Sequence, residues 1–98
     1  MLYEGQIKDS MKDGKGKEID LVNKTKYTGE FKNNLKEGYG SLQSQKECYS
    51  GYFVQDKMDG RGYLEKEDLT YIGFFENGQM EGYGEISYPS FLQVFSNN

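Results

Sequence analysis

The chain has 98 residues, a net charge of −4, one Cys, one Pro, and no His or Trp. That is the size of one small domain, and a mean hydropathy of −0.89 excludes a thick aliphatic core. Yet 15% of the residues are aromatic and 13 are glycine, a content that disordered chains lack, so the aromatics are expected to supply the packing.

Several function classes fall away at this level. No window approaches 18 apolar residues, so no transmembrane helix is expected. Met1–Gly5 lacks a charged and an apolar leader segment, so no signal peptide is expected. A single Cys fits a reducing compartment. The acidic balance argues against a nucleic-acid groove. Without His there is no imidazole base and no imidazole metal ligand.

The glycines form a ruler. Gly5, Gly29, Gly51 and Gly73 are spaced 24, 22 and 22, and so are the sets Gly14, Gly38, Gly60, Gly82 and Gly16, Gly40, Gly62, Gly84. Only Gly78 is off this lattice. Residues 1–98 therefore read as one domain of four repeats, 3–26, 27–48, 49–70 and 71–92, with 93–98 as a degenerate capping strand.

In chain order, the first unit sets Tyr3, Gly5 and Ile7 against Glu4 and Gln6. Its two extra residues fall near Glu18–Ile19 or in the following loop. The second alternates Tyr27, Gly29 and Phe31 with Thr28 and Glu30, then Gly38, Gly40 and Leu42 with Tyr39 and Ser41. Period two means strands, and the polar Asn33–Glu37 joins them as a hairpin. The third repeats this with Tyr49, Gly51, Phe53, Gly60 and Gly62. The fourth does so with Tyr71, Gly73, Phe75, Gly82 and Gly84, joined at Asn77-Gly78.

Tyr-x-Gly-x-aromatic, then a Gly-x-Gly nine residues on, then Leu or Ile, at a period of 22, resembles the MORN repeat. Tyr71-Ile72-Gly73-Phe74-Phe75 continuing to Gly82-Tyr83-Gly84 is the best match. The resemblance implies an all-β fold: a single-layer, curved antiparallel sheet, or half-pipe, of tandem hairpins. It also implies a scaffold role in cytoskeletal or ciliary assemblies, and hence a cytoplasmic, cytoskeletal or ciliary location. Phosphoinositide or membrane-surface binding, or service as the accessory block of a larger lipid kinase, are the alternatives it implies.

The face holding Tyr3, Tyr27, Phe31, Tyr49, Phe53, Tyr71 and Phe75 shares its parity with the lattice glycines. A sheet curves toward a face without bulk, so this face is expected to be concave, with aromatics packed along its trough. The opposite, convex face should be polar. It is so in the first unit, but Tyr39, Tyr52, Tyr63, Ile72, Phe74 and Tyr83 share its parity further on. A contiguous apolar patch of this kind marks a partner surface.

Charge is graded as well: Lys residues crowd the first unit, while the fourth holds only Glu76, Glu81 and Glu85 as charged groups. The expected partners are other protein subunits, with a basic or helical segment and another sheet edge as candidate contacts, and no nucleic acid. Membrane binding is disfavoured, since only Lys8, Lys12, Lys15 and Lys17 form a basic cluster, and acids offset it. Asp13, Glu37, Asp59 and Glu81 should form a solvated rim, at intervals of about 10 Å. No catalytic constellation, metal site or cofactor motif is seen. Cys48 reads as a free thiol in an inter-repeat loop, and Gly14-Lys15-Gly16-Lys17 lacks the ending of a phosphate loop.

Overall fold

The computed structural model describes residues 1–88. The expected capping strand 93–98 lies outside them. Eight antiparallel strands form one open sheet in strict sequence order. They are β1 (Leu2–Lys8), β2 (Met11–Asp20), β3 (Thr25–Lys32), β4 (Leu35–Gln43), β5 (Glu47–Val54), β6 (Lys57–Lys66), β7 (Thr70–Glu76) and β8 (Gln79–Ser87). There is no helix and no second layer among the described residues.

Each hairpin turns on two residues with left-handed backbone. The pairs are Asp9 and Ser10, Asn33 and Asn34, Gln55 and Asp56, and Asn77 and Gly78, with φ between 47° and 83°. These primed turns match the twist of the strands they join. The loop expected over Asn33–Glu37 is thus shorter, and Leu35 already belongs to β4. Cys48 likewise lies in β5 rather than in a loop. The two extra residues of the first unit lengthen β2 and β3 at their shared end, where Asp20 and Thr25 add a ladder pair.

A bulge interrupts every hairpin. Gly29 faces Gly40, but Phe31 faces Lys36, so β4 holds extra residues opposite Glu30. Gly14, Gly38, Gly60 and Gly82 occupy these bulges, with φ from 70° to 96°. Simple alternation groups them with the trough glycines, and that grouping is corrected here. A side chain on Gly14 would meet Gln6, and one on Gly38 would meet Glu30, both on the opposite face. These four supply left-handed backbone, and curvature comes from the bulge they allow rather than from a missing side chain.

The remaining lattice glycines pair across every junction, in the line Gly5, Gly16, Gly29, Gly40, Gly51, Gly62, Gly73, Gly84. A Cβ on Gly29 would lie 2.5 Å from the Gly40 Cα, and one on Gly51 would lie 2.6 Å from the Gly62 Cα. No side chain fits there, so the two strands of each hairpin close on one another on the tyrosine face. The tyrosine rings lie over these glycine pairs.

The core is a zigzag of rings. Phe31 packs edge-on between Tyr3 (5.3 Å) and Tyr27 (5.0 Å), Phe53 between Tyr27 and Tyr49 (5.2 Å each), and Phe75 between Tyr49 (5.1 Å) and Tyr71 (5.3 Å). Each phenylalanine therefore bridges its own repeat and the one before. Tyr27, Phe31, Tyr49, Phe53, Leu64, Tyr71 and Phe75 are buried, with Tyr3 partly buried against them. Each tyrosine hydroxyl donates to the carbonyl three residues on: Tyr3 to Gln6, Tyr27 to Glu30, Tyr49 to Tyr52 and Tyr71 to Phe74. Those carbonyls sit opposite the bulge, so the hydroxyl occupies an acceptor beside the interrupted ladder. Burial, against the relief of that hydrogen bond, pushes the Tyr27 and Tyr49 hydroxyls up to about 12.

Turns also stitch the repeats together. Asn34, Asp56 and Gly78 donate their N–H to the carbonyls of Lys12, Lys36 and Met58 in the preceding hairpin. The Asn34 and Asp56 side chains accept in return from the Lys12 and Lys36 N–H groups. The acidic row joins this stitch: Glu37 accepts from the Gln55 N–H and Asp59 from the Asn77 N–H. The expected solvated rim is therefore corrected at these two positions, which fasten the next turn.

Candidate partner-binding face

With the tyrosine face filled by its own rings, the other face carries the variable side chains. Two rows flank the glycine line. One row runs through Gln6, Lys15, Glu30, Tyr39, Tyr52, Arg61 and Phe74 in adjacent strands, and the other through Glu4, Lys17, Thr28, Ser41, Ser50, Tyr63 and Ile72. Glycine backbone leaves a furrow between them. Over β1–β4 it is an open depression of about 560 Å³ walled by Glu4, Lys15, Lys17, Thr28 and Glu30. Over β4–β8 the walls change to aromatic and aliphatic groups.

Strand pairing assembles the aromatic half. Tyr39 faces Tyr52, with ring centroids 5.3 Å apart and nearly perpendicular. Tyr63 faces Ile72, and Arg61 faces Phe74. Tyr83 and Glu85 close the far side, lining one depression with Arg61, Ile72 and Phe74. All six predicted residues are exposed: Tyr39 51%, Tyr52 50%, Tyr63 38%, Ile72 49%, Phe74 47% and Tyr83 77%. Phe74 and Phe75 are neighbours in the chain, yet Phe75 is only 4% exposed.

Arg61 is the residue that sequence reasoning missed. It is the sole arginine of the chain and stands among Tyr52, Tyr63, Ile72 and Phe74. The signal was present, because Arg61 occupies the x of Gly-x-Gly, as Tyr39 and Tyr83 do. Among the described residues no carboxylate pairs with it. Its planar guanidinium suits both stacking on rings and bidentate binding of a carboxylate.

The basic cluster is dispersed by the fold. Lys12 lies on the tyrosine face, over the Tyr3 and Phe31 rings and paired with Glu18. Lys15 and Lys17 line the opposite furrow with Glu4 and Glu30. Glu18 stands where the later units have Leu42, Leu64 and Ile86, so the Lys12–Glu18 pair replaces the apolar contact of those units. Among the described residues no group of three or more Cys, Asp or Glu is placed to hold a metal ion.

An open sheet whose hairpins touch mainly their sequence neighbours defines a solenoid-like repeat protein. The chain belongs to the MORN-repeat family: the family model matches residues 3–20, 27–48, 49–68 and 71–92. MORN repeats are generally associated with protein-binding and membrane-binding modules. Comparison with curated proteins finds no match.

Proposed function

We propose that this chain is a non-catalytic scaffold module that captures a protein partner on the aromatic half of its outer face, as a structural subunit of a cytoskeletal or ciliary assembly. The observation that carries this reading is one continuous surface. Tyr39, Tyr52, Tyr63, Ile72, Phe74 and Tyr83 surround Arg61 on adjacent strands, each exposed by about two fifths or more. Half-exposed aromatic side chains offer roughly 100 Å² each, so the patch approaches the roughly 800 Å² that one side of a stable interface buries. Aromatics and arginine are also the residues over-represented at interface hot spots. A sheet whose second, third and fourth hairpin turns are each stitched to the preceding hairpin presents them rigidly, which lowers the ordering cost of association.

Affinity capture from a ciliated-cell extract, followed by mass spectrometry, tests the proposal. The double variant Tyr52→Glu/Phe74→Glu keeps the circular-dichroism spectrum of the wild type and loses the partner. Undiminished capture by that variant refutes the reading. Membrane-surface binding is the second reading, and it needs a basic cluster on one face. The division of Lys12 from Lys15 and Lys17 between faces weighs against it. Pelleting with anionic liposomes at low salt is the result that would favour it.

A further inference from the structure

The bulges of the four hairpins differ in one respect. In the first, the Lys15 N–H beside the bulge glycine donates to Gln6 Oε1 at 2.6 Å. In the second, the Tyr39 N–H donates to Glu30 Oε2 at 3.2 Å. Each time a side chain of the facing strand reaches over the outer face to a backbone donor at the interrupted ladder. The corresponding donors of the third and fourth hairpins are the N–H groups of Arg61 and Tyr83, which follow Gly60 and Gly82. There Tyr52 and Phe74 take the places of Gln6 and Glu30. Among the described residues only Lys15 and Tyr39 of this set find a side-chain acceptor.

The two uncapped bulges are unequal. Arg61 adds its own guanidinium, which pairs with no carboxylate among the described residues. It lines a depression of about 220 Å³ with Tyr39, Tyr52, Tyr63 and Ile72. Tyr83 lies in the neighbouring depression, where Glu85 supplies negative charge.

We propose that the Arg61 bulge seats a glutamate side chain of the partner, carried on an extended segment that lies along the outer furrow. This rests on the scaffold reading above and names what the partner presents. The second hairpin shows the fit, since Glu30 holds a carboxylate over the same bulge and accepts from its N–H. At Arg61 a carboxylate gains the guanidinium as well, a planar fork that both of its oxygens can engage. The surrounding rings keep water from the pair and so strengthen it. The width of the furrow selects an extended chain. Its walls stand one residue either side of the glycine line, about 7 Å apart at the backbone. An α-helix is about 10–12 Å across, so it would ride on the walls and hold its side chains off the bulge. Charge selects one glutamate rather than a run of acids. The fourth unit's charged groups are Glu76, Glu81 and Glu85, and they repel a polyacidic segment.

Fluorescein-labelled peptides of nine residues, with a central glutamate flanked by alanine, leucine, proline and tyrosine in varied order, test this by anisotropy against the full chain. The tightest should weaken about tenfold or more when its glutamate is exchanged for glutamine, and Arg61→Gln should abolish that preference. Lys15→Gln and Lys17→Gln, in the other half of the furrow, should leave it unchanged. In an amide correlation spectrum the Arg61 N–H should shift on binding, while the Tyr39 N–H, already bonded to Glu30, should stay. Without any peptide, Tyr52→Glu should fill the seat from within, as Glu30 does, and slow Arg61 amide exchange about tenfold. Absence of a glutamate preference in every peptide overturns the inference. So does a preference that survives Arg61→Gln, tighter binding of a helical peptide with the same central glutamate, or unaltered Arg61 exchange in Tyr52→Glu. In each of those cases partner capture that is still lost in Tyr52→Glu/Phe74→Glu leaves the scaffold reading standing. Undiminished capture by that double variant is the separate failure of the scaffold reading.

Discussion

Phe74 and Phe75 are the same side chain in adjacent positions, and they should respond to truncation very differently. Phe75 is 4% exposed and packs edge-on against Tyr49 and Tyr71 at 5.1 and 5.3 Å. Removing a buried phenylalanine ring costs about 3–5 kcal/mol, combining lost transfer energy with the cavity left behind. The two ring–ring contacts place Phe75→Ala in the upper half of that range. Phe74 is 47% exposed, so Phe74→Ala forfeits only about half of a burial worth about 1.5–3 kcal/mol and leaves no closed cavity. Its expected cost is about 1 kcal/mol. Stability for a chain of this length is about 5–15 kcal/mol, so Phe75→Ala removes a large share of it. With a urea m-value of about 1.5 kcal/mol/M, the midpoint should fall by about 3 M for Phe75→Ala and by under about 1 M for Phe74→Ala. Urea titration followed by tyrosine fluorescence and by circular dichroism measures both. Equal losses in the two variants would refute the assignment of faces on which the binding surface rests.

Other expectations follow from the same geometry. Gly40→Ala would place a Cβ 2.5 Å from the Tyr27 ring, so it should cost about 2 kcal/mol or more in urea titration. Gly82→Ala meets open space and should cost only about 1 kcal/mol, from its φ of 70°. Gln55 holds a φ of 47° in its turn, and Gln55→Asn should raise stability by a few tenths to about 1 kcal/mol. Tyr27 and Tyr49 titrate near 12 when folded and near 10 when unfolded. Raised folded values mean that this stability is complete below pH 10 and is lost as pH climbs through 12. Each tyrosine contributes on the order of 1 kcal/mol to that loss, since water reaches the half-buried hydroxyls and screens part of the shift. Equilibrium urea titrations at successive pH values should show the loss in the wild type, and Tyr49→Phe should remove about half of it.

Much of this was legible in the chain because a one-layer repeat writes its packing into parity. Tyr49 and Phe53 share a face with Gly51 between them, and Tyr52 falls on the other face. The bulge escaped that logic, since a left-handed residue at Gly38 rotates the strand without breaking the glycine lattice. Turns were harder to place. Asn77-Gly78 has a familiar primed-turn signature, whereas Gln55-Asp56 adopts the same backbone without one. Asp56 is instead held by its contacts with Lys36 in the preceding hairpin. Glu37 and Asp59 act on turn residues eighteen positions away, a separation at which acid spacing alone carries no signal. Arg61 shares the x of Gly-x-Gly with Tyr39 and Tyr83, which gives its face, but its place beside Phe74 comes only from the strand pairing.

Tyrosine nitration mapped by mass spectrometry, with and without the captured partner, tests the central claim most directly. In the free protein the exposed Tyr39, Tyr52, Tyr63 and Tyr83 should react, while Tyr27, Tyr49 and Tyr71 stay unmodified. In the complex Tyr52, Tyr63 and Tyr83 should become protected together. Reaction of those three at the same rate with the partner bound would contradict the account.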